Sequence, residues 1–320
     1  MKKITEQLVP RSLLVLAAVI WGFAFVAQRE GMEHVGPFLF NAVRFVLGAI
    51  ALLPFLFFGG KTGRTGRRGF AGRYVLAGTV LFVAASLQQW GLVYTTAGKA
   101  GFITGLYLVI IPLFGLLMGK RVRFPVWAAV LVSIGGLYLL TVRGMTQIGA
   151  GDLLVLASAF GWAAHVHIVG WLARRSDPIV VASSQFAVCG ALSLGVAVFV
   201  EPITIRGLHE AWIPIAYAGI LSTAGAYTLQ VIGQRWVEPA PAGVIMSLET
   251  VFAALGGWLI LGEGMTTRML LGSGMMLLGI LLSQLAREER GGPSGPPRRL
   301  VGKGLFRSMF LARFRGFLQR

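Results

Sequence analysis

The chain is 320 residues long, 56% hydrophobic and only 13% charged, with 44 glycines. A single water-soluble domain of this length needs a polar shell; here the few charges sit in short clusters between long apolar runs, which excludes a soluble globule and makes the lipid bilayer the expected solvent. The formal net charge of +17 would suggest nucleic acid in a soluble protein, but the placement of the basic residues argues against a nucleic-acid partner.

Runs of about 20 apolar residues, the length that crosses a hydrocarbon core of about 30 Å, occur ten times: at 12–28, 38–58, 74–94, 98–119, 124–142, 152–172, 179–200, 212–236, 240–261 and 267–286. Lys2-Lys3 ahead of the first run also fits a signal peptide, but that run has an internal counterpart later in the chain. Of the 29 Lys and Arg, 23 fall in six segments that alternate with segments carrying five, and Arg44 lies inside a span. By the positive-inside rule both termini are then cytoplasmic. The single cysteine, Cys189, lies in an apolar run and reads as a small buried hydrophobe; no intramolecular disulfide or thiolate cluster can be built from it.

Sliding the chain on itself by 141 positions pairs Trp21 with Trp162, Pro37 with Pro178 and Phe45 with Phe186. At 142 it pairs Gln88 with Gln230, Gly91 with Gly233, Gly101 with Gly243, Leu106 with Leu248 and Gly115 with Gly257. Two units of five spans follow, 12–148 and 149–286, between a short N-terminal segment (1–11) and a basic tail (287–320). Because five is odd, the second unit enters the membrane from the opposite side. Inverted repeats of this kind pack around a pseudo-two-fold axis in the membrane plane and place at the midplane a cavity that opens alternately to either side. The expected fold is an all-α membrane protein of ten transmembrane helices in two inverted five-helix repeats, and its geometry points to transport.

Several stretches then carry a family likeness. Trp21-Gly22, Pro37 followed by Arg44-Phe45, Thr95-Thr96-Ala97-Gly98-Lys99-Ala100-Gly101 leading to Pro112, and Glu238-Pro239-Ala240-Pro241-Ala242-Gly243 leading to Gly262-Glu263 occur in an order and spacing that resembles the drug/metabolite transporter superfamily, specifically its EamA-type members, over about residues 12–286. The resemblance implies two EamA repeats, peripheral fifth and tenth helices, and export of a small metabolite across a bacterial inner membrane. Two departures stand out: Lys120-Arg121 end the fourth span where Gly262-Glu263 stands in the second repeat, and the ninth span carries Glu249-Thr250 near a place where many relatives have proline.

Candidate site residues follow from depth and symmetry. Arg44 lies roughly 10 Å below the outer end of its span; a charge at depth costs about 2.5 to 3.5 kcal/mol on insertion scales and faces water or a partner. It reads as an anchor for a carboxylate or phosphate, or as a structural charge. Glu249, roughly 13 Å from the inner end of its span, reads as a proton or substrate site, or as a structural partner of Arg44. Gln88 and Gln230, as symmetry mates, suit two walls of one cavity, as do Trp21 and Trp162; Gln89 and Gln185 read as structural. Tyr107, the mate of Glu249, is a further cavity candidate. His165 and His167 point about 200° apart on a helix and cannot chelate one ion; they read as satisfied interhelical histidines, or one of them, His165 being the candidate, as a residue that faces the cavity. Pro112 removes a backbone hydrogen bond inside the fourth span and reads as a kink or hinge.

Gly60-Lys61-Thr62 ends like a phosphate loop, but Phe55 stands where that motif needs glycine. No hydrolase or zincin motif is present in the sequence. In the tail, Arg307, Arg313, Arg315 and Arg320 mix with Phe306, Phe310, Phe314 and Phe317, a composition suited to an anionic leaflet. The expected function is secondary active transport, outward, of a small organic metabolite such as an amino acid or analogue, with proton coupling resting on Glu249. The alternative is a non-transporting membrane scaffold or receptor with a lipid or small-molecule cavity. No enzyme activity, cofactor or metal is expected; the partners are the substrate and membrane lipids.

Overall fold

The computed structural model describes residues 2–57, 70–95, 97–141, 149–262 and 264–285. The tail, the 58–69 segment with its phosphate-loop look-alike, and Glu263 lie outside them. Among the described residues the regular elements are all helical. In chain order they are α1 (Lys2–Met32), α2 (Pro37–Phe57), α3 (Ala71–Tyr94), α4 (Ala97–Gly105), α5 (Tyr107–Leu117), α6 (Phe124–Thr141), α7 (Ala150–Ala173), α8 (Pro178–Val200), α9 (Ile205–Glu210), α10 (Trp212–Ala216), a π-helical segment (Tyr217–Tyr227), α11 (Thr228–Gln234), α12 (Pro239–Met246), α13 (Glu249–Leu261) and α14 (Thr267–Leu285).

Local chemistry fixes many of the boundaries. Pro37, Pro178 and Pro239 begin α2, α8 and α12, where the missing N–H costs nothing and the fixed φ suits a first turn. Gly262, at φ 66°, closes α13 in the left-handed conformation that glycine adopts without strain. Seven stretches are long and apolar enough to span a membrane: Leu8–Met32, Pro37–Phe57, Ala71–Tyr94, Ala150–Ala173, Pro178–Val200, Trp212–Gln234 and Pro239–Ile260. Three more apolar helices, Ile103–Leu117, Phe124–Leu140 and Thr267–Ser283, are shorter. Helices occupy all ten apolar runs among the described residues, seven of them long enough for a full span and three shorter, and the fourth run is divided at Leu106.

Helix direction demonstrates the inversion. The repeat mates α2 and α8 run antiparallel: Phe38 and Leu39, at the start of α2, donate their backbone N–H to the Glu201 carboxylate just past the end of α8, at 2.8 and 2.7 Å, and further along Gly190 packs on Val46. The mates α6 and α14 also cross antiparallel, Gly136 meeting Gly272 and Ala129 meeting Gly279. Two copies lying the same way up would run parallel in both places. α6 and α14 pack chiefly on each other at the periphery, while α1, α3, α7 and the tenth-to-eleventh helix run surround the centre.

The outer surface is apolar, with Leu117, Phe124, Phe199 and Ile205 each more than 80% exposed, as lipid-facing side chains require. Charged groups collect at two ends. Lys120, Arg174 and Glu238 interact at one of them. There burial first, then Arg174, lowers the pKa of Lys120. At the other end Glu210 accepts from Arg206 at 2.8 Å and sits 3.4 Å from His34; the Arg206 hydrogen bond is the main cause holding its carboxyl low.

Candidate functional site

A partly open cavity lies between the repeats. α1 supplies Trp21, Phe25 and Gln28, α2 supplies Arg44, and α3 supplies Gln88. Thr104 and Tyr107 flank the α4–α5 break; Met246 and Glu249 flank the matching α12–α13 break. Trp162 and Val166 come from α7, Ser222 and Tyr227 from the π-helical segment, and Gln230 from α11. Ten of these fourteen residues form five pairs at the repeat offset: Trp21 with Trp162, Phe25 with Val166, Gln88 with Gln230, Thr104 with Met246, and Tyr107 with Glu249. The wall is therefore two-fold in outline, and Gln28, Arg44, Ser222 and Tyr227 make it unequal.

Both breaks are tightened turns in mid-span. Leu106 N–H donates to Ile103 and Leu248 N–H to Ile245, each at 3.2 Å, the short i to i+3 pattern that ends an α-helix. Tyr107 and Glu249 are consequently the first residues of two half-helices that begin at the cavity, and the Tyr107 hydroxyl hydrogen-bonds the Glu249 carboxylate. Broken helices are tolerated at membrane depth where they line a cavity. The fourth span breaks at Leu106, well before Pro112, which is buried inside α5.

Arg44 is 3% exposed. Its Nε donates to Asn41 Oδ1 at 2.9 Å and its guanidinium lies 4.6 Å from the Phe45 ring centre. Among the described residues no carboxylate lies within ion-pair distance of it, so Arg44 and Glu249 share the cavity without pairing. The cationic head is held by an amide and an aromatic face, which leaves its remaining donors for a ligand.

Aromatic rings gather around Tyr227. It meets Trp21 edge-on at 4.8 Å, Trp162 at 6.3 Å, His165 at 6.2 Å, Phe45 at 6.1 Å and Phe186 at 5.8 Å. Its position at the repeat offset is Ala85, so a symmetry search passes over it, as it does Ser222 and Gln28. Phe25 with Val166 and Thr104 with Met246 were legible as offset pairs but unlike in type.

Seven of the eight sequence candidates, Arg44, Gln88, Gln230, Glu249, Trp21, Trp162 and Tyr107, are brought together in the wall. His165 is not. It lies fully buried behind the wall, with Nε2 at 2.7 Å from Gln185 Oε1 and its ring edge-on to Trp162 and Tyr227, because those two rings fill the space between it and the cavity. His167 turns away to the Ile111 carbonyl at 2.8 Å. Gln89 and Cys189 are buried outside the wall.

Two inverted helical repeats around a cavity lined by aromatic, apolar and a few polar side chains make the architecture of a membrane transporter. The chain belongs to the EamA-like transporter family, whose profile matches residues 11–142 and again 149–285. An uncharacterized transporter of Archaeoglobus fulgidus is 32% identical over 275 residues, 85% of this chain and 84% of that one. A WAT1-related chloroplastic protein of Arabidopsis thaliana is 25% identical over 85% of this chain and 68% of its own, and the uncharacterized transporter YoaV of Bacillus subtilis 21% over 87% and 97%. A solved crystal structure with 21% identity superposes with a TM-score of 0.73 over 88% of this chain and 99% of that chain, which shows the shared fold.

Proposed function

We propose that the protein is a secondary active transporter that exports a small organic anion or zwitterion, an amino acid or close analogue, in exchange for protons. The observation that carries this reading is the unneutralised Arg44 facing the same cavity as the Tyr107-bound Glu249. A guanidinium with free donors suits a substrate carboxylate, and the indole and phenol rings of Trp21, Trp162 and Tyr227 suit an apolar side chain. Glu249, the one acidic side chain in the described wall, carries a proton when the cavity faces one compartment and releases it to the other. The excess of basic residues on the segments joining one set of span ends supports placing that face, and both termini, in the cytoplasm of a bacterial cell.

Purified protein in liposomes, given an inward or outward pH gradient and each of a panel of radiolabelled amino acids, tests the proposal. Wild-type protein accumulates at least one of them against its gradient, driven by ΔpH. Glu249→Gln loses the dependence on ΔpH, with gradient-driven accumulation down about tenfold or more. Accumulation by Glu249→Gln equal to wild type would remove the proton role, and absence of uptake across the panel would remove the amino-acid class.

A further inference from the structure

The pseudo-two-fold relation assigns a counterpart to each interaction between the paired residues of the cavity wall, and one hydrogen bond among them lacks its counterpart. Trp162 Nε1 donates to Gln88 Oε1 at 2.7 Å, joining the second repeat to the first. At the repeat offset Trp162 corresponds to Trp21 and Gln88 to Gln230. The equivalent bond, Trp21 Nε1 to Gln230 Oε1, is absent, and both of those atoms are buried with no hydrogen-bond partner. Gln230 is only 2% exposed. A buried donor and a buried acceptor left open together are costly, yet they are the same two groups that satisfy each other in the other half.

Tyr227 makes the surroundings of the two indoles unequal. It is a single ring without an aromatic mate, wedged edge-on against Trp21 at 4.8 Å and lying nearly parallel to Trp162 at 6.3 Å.

We propose that Trp162–Gln88 and Trp21–Gln230 are two alternative latches between the repeats, closed one at a time, and that Trp21, Gln88, Trp162 and Gln230 thereby position the halves and set which side of the membrane the cavity faces. The structure holds the state with Trp162–Gln88 closed. Rocking the repeats opens that bond, orphans its two atoms, and lets Trp21 reach Gln230. Because one hydrogen bond is exchanged for an equivalent one, the two states stay close in free energy, as a carrier that must visit both requires. This inference rests on the transport reading above.

Cysteine accessibility tests it without a known substrate. In a Cys189→Ala background, Ser222→Cys places a thiol in the cavity wall, and a membrane-impermeant maleimide is applied to right-side-out and to inside-out vesicles. The ratio of the two labelling rates reports the facing equilibrium. Trp162→Phe and Gln88→Leu, two independent ways to break the closed latch, each shift the ratio by about two- to tenfold toward the other side, the range one net hydrogen bond gives. Trp21→Phe and Gln230→Leu shift it by a similar factor the opposite way. Agreement between the two variants of one bond separates a latch effect from misfolding. Ratios that move the same way for both bonds, or that stay within error, overturn the latch while labelling from both sides leaves alternating access standing. Labelling from one side only, in the parent and in every variant, overturns alternating access as well.

Discussion

Glu201 shows how one residue ties the two repeats together. The second repeat caps its helix α8 locally: Asp177 accepts the Ile179 N–H at 2.9 Å. At the same place in the first repeat stands Gly36, which has no side chain to offer, and Glu201 from the far end of α8 takes over, accepting from Phe38 and Leu39. A Cβ on Gly36 would come within 2.7 Å of that carboxylate, so the glycine is what admits it. A carboxylate on two first-turn N–H groups satisfies orphan donors and complements the helix dipole. Glu201→Ala is therefore expected to cost about 1–2 kcal/mol, seen as a lower melting temperature in detergent, and Gly36→Ala to be destabilising through displacement of the same group. Arg44→Leu behaves differently. Removing a buried, unpaired cation relieves desolvation, so the melting temperature stays level or rises while uptake of any transported amino acid falls by about tenfold or more; a loss of fold together with uptake would make Arg44 a structural charge.

At the scale of elements, close glycine contacts decide where helices can cross. A Cβ on Gly22 of α1 would lie 2.7 Å from the backbone of Phe252 in α13, whereas Gly274 of α14 has open space around it. Gly22→Ala should destabilise by about 1–3 kcal/mol through overpacking, and Gly274→Ala should be neutral or stabilising by about 0.5–1 kcal/mol through helix propensity; thermal melts of the two variants side by side check the contrast. The helix breaks were harder to read in advance. Neither Leu106 nor Leu248 is a helix-breaking residue, and the proline of the fourth run, Pro112, lies further along, inside α5. The π-helical segment left one trace in the sequence: α3 and α10 begin 141 positions apart, at Ala71 and Trp212, while Gln88 and Gln230 are 142 apart. One extra residue enters the eighth run between those points, and a π-helical turn is the form in which a helix absorbs it. That widening carries Ser222 and Tyr227 into the wall.

For the molecule as a whole, the inverted architecture was legible because a near-constant repeat offset and an odd number of apolar runs leave one topology. Most of the wall was legible for the same reason, since symmetry mates of polar or aromatic type stand out in apolar helices. What escaped were the groups that break symmetry: Tyr227, whose counterpart is Ala85, and the trans cap from Glu201, whose partners are backbone N–H groups invisible in a residue pattern. Of the two readings of His165, the interhelical one matches its bond to Gln185, and the cavity one was open because helical periodicity gives a direction but not the depth of the rings in front of it. The central claim, that the cavity between the repeats carries substrate across the membrane, is met most directly by counterflow. Liposomes containing the protein and preloaded with an unlabelled amino acid that it binds should take up the labelled form transiently above its equilibrium level, with saturable initial rates. Labelled amino acid that associates with the protein but never exceeds equilibrium in the lumen would contradict it.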